Sequence, residues 1–410
     1  MTWLDIITMY VMIYPSATAF LWMIGGIYYF FTQEEIGHIT SYDANDPTFV
    51  TIMVPCYNEA ANIDETVEHL LNIRYTNYEI LLINDGSRDD TARLIDGWAA
   101  CEPKIRALHQ ENQGKATALN NGIKHARGEI LVCIDGDAVL DYDAISYLVK
   151  AMKGKPNVAA ITGNPRVRTR TTIIGKLQVT EFSSIIGLTK RTQSVYGTIF
   201  TISGVIGAFR KSAMESIGGW SPDMITEDID VSWKLQMMGY DILFEANALC
   251  WVLMPETLKG LYKQRLRWAQ GGAEVFLKFF KSGISWSGRR FWPHLFEYAA
   301  TLTWAYSMLG LIVLRFFDPY LLLHPEFNWH ILRSTSFIIL CICMIQFTVS
   351  LYIDSHYERG LWRSFIWCIW YPLAYWTLNL ITMTIAFPKA LFRKRGQLAV
   401  WSSPDRGVSL

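Results

Sequence analysis

The sequence predicts an α/β domain with a mostly parallel, helix-covered sheet, joined to an α-helical membrane region. Three observations carry this. From Phe49 to about Trp251, short apolar runs alternate with helical patterns, as in strands linked by helical crossovers. Two of those runs end on carboxylates, Asp85 and Asp135, at the strand ends where open α/β sheets place ligands. The 410 residues are also 51% hydrophobic with 16 Trp and a mean hydropathy of +0.17, too apolar for an ordinary soluble enzyme.

The length allows two or three domains. A net charge of zero gives no electrostatic case for a nucleic-acid partner. The seven cysteines lack CxxC spacing and lie mostly in apolar runs. They read as reduced packing residues, without a zinc site or disulfide framework, which fits a catalytic part facing the cytoplasm.

Taken in order, residues 1–31 are an N-terminal membrane anchor. Ile6 to Phe31 is apolar and long enough to span, no Lys or Arg precedes it, and no cleavage site follows. Residues 32–48 are a polar, acidic linker. Residues 49–254 form the catalytic domain. Its strands are expected at 49–54, 79–83, 105–108, 130–134, 158–162 and 205–209, and its helices at 59–71, 89–100 and 114–125.

Residues 255–290 read differently. Leu258, Tyr262, Leu266, Ala269, Ala273, Phe276 and Phe280 recur at helical spacing, with Lys259, Lys263, Arg265, Arg267 and Lys278 among them. That is a basic amphipathic helix resting on a membrane surface, broken or bent at Gly271-Gly272. Gln264, Arg267 and Trp268 share one face of it, opposite the apolar stripe. A second interfacial helix is expected over 173–195. Residues 291–388 hold three apolar segments, 292–317, 331–353 and 364–387. Arg289-Arg290 before them and Lys389, Arg393, Lys394 and Arg395 after them both indicate cytoplasm. Three crossings cannot satisfy both, so two segments span and the third spans or lies in the interface. The last, with Pro372 and Asn379, is the expected exception. A basic tail, 389–410, closes the chain.

Several residues carry candidate chemistry, each beside a plainer reading. Asp135 and Asp137 flank Gly136, share a strand face, and as hard oxygen ligands suit Mg²⁺ or Mn²⁺ holding a diphosphate. Asp-Gly-Asp is equally good turn chemistry. Asp85 is a nucleotide contact or a turn acid. Thr226-Glu227-Asp228 opens a helix, with Thr226 as N-cap and the acids stabilised by the helix dipole. The sharper reading makes Asp228 a general base, because a sugar hydroxyl needs a positioned proton acceptor. Arg267 suits a leaving diphosphate and Trp268 a sugar ring; both residue types are also common on interfacial helices. Lys115 is a nucleotide contact or a solvated loop lysine.

Asp85, Asp135-Gly136-Asp137, Thr226-Glu227-Asp228 and Gln264-Arg265-Leu266-Arg267-Trp268, in that order before membrane helices, resemble the processive family 2 glycosyltransferases. Cellulose, chitin and hyaluronan synthases belong to that group. Thr162 to Arg166, Met224 to Asp228, Val252 to Leu258, Arg267 to Gly272, Phe387 to Ala390 and Trp401 to Gly407 look most like its bacterial polymerases of β-1,6-linked N-acetylglucosamine, a biofilm exopolysaccharide.

The resemblance implies a GT-A fold and UDP-N-acetylglucosamine as donor. It implies that Asp85 and Asp135 contact UDP, that Asp137 binds the Mg²⁺ or Mn²⁺, and that Pro55, Tyr57 and Glu59 lie where relatives hold the uridine. Lys115 and Asn164 join the substrate-binding set. Asp228, with Glu227 beside it, is catalytic: it deprotonates the acceptor's 6-hydroxyl, which attacks the anomeric carbon with inversion. Gln264, Arg267 and Trp268 hold the diphosphate and the acceptor end. The membrane helices form the exit path, a small membrane accessory subunit is the expected partner, and the catalytic domain faces the cytoplasm of a bacterial cell. The alternatives are another polysaccharide synthase, a transferase adding one sugar to a lipid, or a non-enzymatic transporter or nucleotide-sugar sensor; Glu297, Arg315 and Gln346 in the apolar segments keep the last open.

Overall fold

The computed structural model describes residues 3–34, 46–317, 329–394 and 396–399. Most of the expected linker and the Trp401–Gly407 match lie outside the described residues. The chain begins with α1 (Trp3–Thr32). It continues through β1 (Val50–Cys56), α2 (Ile63–Leu71), β2 (Tyr78–Asp85), α3 (Thr91–Cys101), β3 (Ile105–Gln110), α4 (Lys115–His125), β4 (Ile130–Ile134), β5 (Val139–Leu140), α5 (Ala144–Met152) and β6 (Val158–Val167). Next come α6 (Ile173–Glu181), a π-helical turn (Phe182–Gly187), α7 (Leu188–Tyr196), β7 (Ile206–Arg210), α8 (Lys211–Ser216), α9 (Glu227–Met237) and β8 (Asp241–Val252). It ends with α10 (Leu258–Gly283), α11 (Trp292–Phe317), α12 (Trp329–Asp354), a 3₁₀ segment (Leu361–Ile369) and α13 (Tyr371–Phe392). Two compact units result, each drawn from three stretches of chain: 1–33, 176–196 and 261–393 in one, and 34–175, 197–260 and 394–410 in the other.

The second unit holds one sheet, ordered β3-β2-β1-β4-β7-β6-β8-β5. β1 is central and parallel to both β2 and β4, and β3 is parallel to β2. Every residue of β1, β2 and β4 is buried, which is why these strands read as unbroken apolar runs. The sheet is mixed beyond β4. β7 runs antiparallel to β4 and β6, β5 is antiparallel to β8, and β6 and β8 are parallel. The expected predominance of parallel pairs therefore belongs to the β3-β2-β1-β4 half. Pro55 sits within β1 without disturbing it. Val50 donates toward β2, whereas Phe49 accepts from Glu129 at the start of β4, so odd-numbered residues face β4. The β1–β4 register ends at Met53↔Cys133, and Pro55 lies beyond it, where a missing N–H breaks no ladder.

In the first unit, three helices are long and apolar enough to cross a membrane among the described residues: Trp3–Thr32, Arg289–Phe317 and Phe337–Asp354. The apolar segment at 364–387 is divided between the 3₁₀ segment and α13, and is not among them. α1 is bound to α11 by polar contacts. Pro15 lacks the N–H that would bond Val11, and the Trp304 indole donates to that freed Val11 carbonyl at 3.0 Å. Tyr10 donates to the Ala300 carbonyl at 2.6 Å, and Tyr14 and Thr301 share a 2.6 Å bond.

Two expectations are corrected here. α10 runs unbroken through Gly271 and Gly272: both are buried, and tertiary packing sustains the helix where glycine's own propensity is poor. The 173–195 stretch is not a helix lying on a surface. It is interrupted by the π-helical turn, and Lys190 and Arg191 are buried, with Arg191 3.0 Å from a fully buried Asp354.

Candidate active site

The site grows from the carboxyl ends of β2 and β4. β4 stops at Ile134, and Asp135-Gly136-Asp137 follow as a turn in which Ala138 N–H bonds the Asp135 carbonyl. Gly136 packs closely on Glu59: a Cβ there would lie 3.0 Å from Glu59 Cγ, so a larger residue would press on that side chain. Glu59 is itself buried beneath the turn, and Thr66 donates to the Gly136 carbonyl at 2.9 Å.

Lys115, the first residue of α4, is the centre of a charged cluster. Its ammonium lies 2.6 Å from Asp135 Oδ1 and 3.3 Å from Glu227 Oε1, and donates to the Gly204 carbonyl at 3.1 Å. Burial acts to lower its pKa, but the charges of Asp135, Glu227 and Asp228 outweigh burial and hold the ammonium well above the usual lysine range. Lys115 is therefore not a solvated loop lysine. Asp135 and Asp137 both act on the buried Cys250 thiol, raising its pKa after burial itself, so the two carboxylates share one neighbourhood.

Asp228 is half-buried in the first turn of α9, and its Oδ1 accepts from Ile229 N–H at 2.9 Å. Thr226 occupies the N-cap position but makes no side-chain cap bond, contrary to expectation, and its buried hydroxyl has no partner among the described residues. A face of α9 instead clamps the loop before β7. Gln236 exchanges two 2.8 Å bonds with the Ile199 backbone, Trp233 donates to the Phe200 carbonyl, and Ser232 accepts from Ile202 N–H. That clamp delivers Gly204, whose Cβ, if present, would lie 3.1 Å from Asp228 Oδ2 and 3.5 Å from Lys115 Nζ. The sequence reading missed Gly204 and the clamp. Ser232 and Gln236, polar at i+4 and i+8 from Asp228, were the available signal.

The other expected residues divide clearly. Asp85 is fully buried and organises the loop that carries Lys115. Its carboxylate accepts from Gln110 Nε2 at 2.8 Å, Gln113 N at 2.9 Å and Gly114 N at 2.8 Å. Pro55 and half-buried Tyr57 lie at the end of β1 and just beyond it. Asn164 donates to the Ala246 carbonyl at 2.8 Å, stitching β6 to β8 beside a register shift. Gln264, Arg267 and Trp268 lie on α10 in the other unit, with Arg267 exposed and its neighbours half-buried. Arg265 departs from its expected place on a basic surface: it is buried against Glu181.

A family model described as "Glycosyltransferase like family 2" matches residues 47–271. The poly-β-1,6-N-acetyl-D-glucosamine synthases of Staphylococcus epidermidis and of Staphylococcus aureus strain COL are each 42% identical to the chain over 403 residues, covering 97% of it and 98% of each relative. The chain belongs to glycosyltransferase family 2. A mannosyltransferase from Pyrobaculum calidifontis, solved with GDP-mannose and Mn²⁺, covers 95% of this glycosyltransferase at 21% identity with a TM-score of 0.65. The fold of the sheet-bearing unit is GT-A, as the resemblance implied.

The residues present suit a divalent cation. Among the described residues no three His, Cys, Asp or Glu side chains group into a protein cage. Mg²⁺ and Mn²⁺ in nucleotide sites use one or two carboxylates, with substrate phosphates and water completing the shell, and Asp137, with Asp135 two residues before it, would supply such a set.

Proposed function

We propose that this glycosyltransferase polymerises N-acetylglucosamine from UDP-N-acetylglucosamine into a β-1,6-linked chain, and that its membrane helices pass the product outward. The observation that carries the chemistry is the Lys115 cluster, which gathers a cation, Asp135, Glu227 and the Asp228 carboxylate beyond the carboxyl end of β4. The donor and linkage rest on the similarity to the staphylococcal synthases.

In this reading the acceptor's 6-hydroxyl gives its proton to Asp228 as its oxygen bonds the anomeric carbon. The bond from that carbon to the UDP oxygen breaks, with inversion, and UDP leaves. Lys115 releases part of its hold on Asp135 and Glu227 to offset charge on the departing diphosphate. A Mg²⁺ or Mn²⁺ held by Asp137 and Asp135 would supply further neutralisation of that diphosphate. Pro55, Tyr57, Glu59 and Asp85 frame the uridine end, and Asn164 belongs to the same substrate-binding set. Gln264, Arg267 and Trp268 hold the diphosphate and the chain's terminal sugar. The protein lies in the cell membrane with its GT-A unit in the cytoplasm, and a small membrane subunit assists it.

The test is UDP release by the purified protein from UDP-N-acetylglucosamine, with and without EDTA and membrane accessory protein. Metal-dependent release with an insoluble amino-sugar polymer is expected, and Asp228→Asn should abolish transfer while UDP still binds. Full synthesis by Asp228→Asn would remove Asp228 as the base. Release from a different UDP-sugar alone would discard the donor.

A further inference from the structure

We propose that Glu181 and Arg265 form a positioning pair that sets Gln264 and Trp268 for the terminal sugar of the growing chain. This rests on the reading that Gln264 and Trp268 hold the acceptor end.

Arg265 stands apart from the other basic residues of α10. Lys259, Lys263, Arg267 and Lys278 are exposed, whereas Arg265 is 9% exposed. A helix needing only a cationic face has no reason to bury one of its arginines, since desolvating a guanidinium is costly unless it is well paired. Arg265 is paired on two edges and one face. Nη2 lies 2.7 Å from Glu181 Oε2 and Nε lies 3.2 Å from Oε1, a two-point clamp on a carboxylate that is itself buried. Nη1 donates to Gln264 Oε1 at 2.7 Å. The guanidinium carbon lies over the Trp268 indole, 4.2 Å from its centroid.

These contacts fix two side chains at once. With its oxygen held by Arg265, the orientation of the Gln264 amide is set. With one indole face covered by the guanidinium, the Trp268 ring plane is set. Glu181 is the last residue of α6 before the π-helical turn at Phe182–Gly187, and such turns concentrate at functional sites. The planar fork is essential: lysine keeps the charge but cannot bind two carboxylate oxygens, donate to an amide and cover an indole together.

The experiment compares full-length wild type, Glu181→Gln, Arg265→Lys and Trp268→Ala in detergent with UDP-N-acetylglucosamine. Three quantities are read: UDP released to water, sugar incorporated into polymer, and product length. Thermal unfolding is followed alongside. The pair predicts that folded Glu181→Gln and Arg265→Lys keep donor KM and UDP hydrolysis within about twofold of wild type, lose tenfold or more in polymer per UDP released, and make shorter chains. Unchanged product length in both folded variants overturns it. So does a parallel fall of hydrolysis, elongation and unfolding temperature, which marks a pair that merely holds the unit together. Glu181→Gln, nearly isosteric, keeps the test open if Arg265→Lys fails to fold. No polymer from wild type, or normal chains from Trp268→Ala, would sink the acceptor reading itself, and the pair with it.

Discussion

Asp85→Asn separates two roles for one buried carboxylate. In the structure its two oxygens accept three N–H groups, two on Oδ1 and one on Oδ2. The better placement of an asparagine keeps its oxygen toward Gln110 and Gln113 and turns its NH₂ on the Gly114 N–H, donor against donor. One hydrogen bond to a charged acceptor is lost, worth about 1.5–3 kcal/mol, and a buried donor is stranded at about 1–3 kcal/mol. Because these overlap, about 3 kcal/mol is expected. For a domain of this size that is a fall of about 6–12 °C in Tm. The damaged loop also aims Lys115, and misplacing a group by about 1 Å costs on the order of 100-fold in rate. The assay is thermal unfolding of Asp85→Asn without nucleotide, followed by UDP binding and turnover. Unchanged Tm with UDP affinity lost would refute this reasoning and leave Asp85 as a direct nucleotide contact.

Three further outcomes follow from the same cluster. Gly204→Ala adds a Cβ 3.1 Å from Asp228 Oδ2, so kcat should fall while stability drops by about 1 kcal/mol; wild-type turnover would mean that Asp228 tolerates the shift. Lys115→Met leaves its carboxylates unpaired and should lose about 3 kcal/mol at pH 8 and about 100-fold in turnover. The folded pKa of Lys115 is raised, so its stabilisation is complete below the unfolded value of about 10.4 and is lost as pH rises beyond it. Chemical unfolding of wild type from pH 8 to 11 should therefore decline more steeply than that of the variant. Asp137→Ala should weaken UDP binding about tenfold or more and abolish its sensitivity to EDTA; a titration still responsive to EDTA would remove Asp137 from the cation site.

The parallel half of the fold was legible because burial on both faces makes β1, β2 and β4 continuous apolar runs. β8 was not. Its Glu245-Ala246-Asn247-Ala248 centre has poor strand propensity, although Ile242, Phe244, Ala246 and Ala248 alternate into the core. Asp135, Glu227, Asp228 and Lys115 were identifiable from residue type and position. Their mutual geometry was not, because it depends on backbone groups such as the Gly204 carbonyl that carry no sequence signature. The burial of Arg265 was equally hidden: periodicity placed it near a polar face, and its partner Glu181 lies 84 residues away.

The tethers on α1 bear on how the chain is made. Tyr10, Tyr14 and Val11 bond residues 287–293 positions later. At about 5–20 residues per second, their partners emerge from the ribosome about 15–60 s after α1 does. During that interval the Val11 carbonyl freed by Pro15 has no Trp304 to meet it, so an α1 that enters the bilayer, as proposed above, does so without that bond. Truncated chains ending before Ala300 should therefore hold α1 in the membrane weakly, and be better substrates for membrane quality-control proteases than the finished protein.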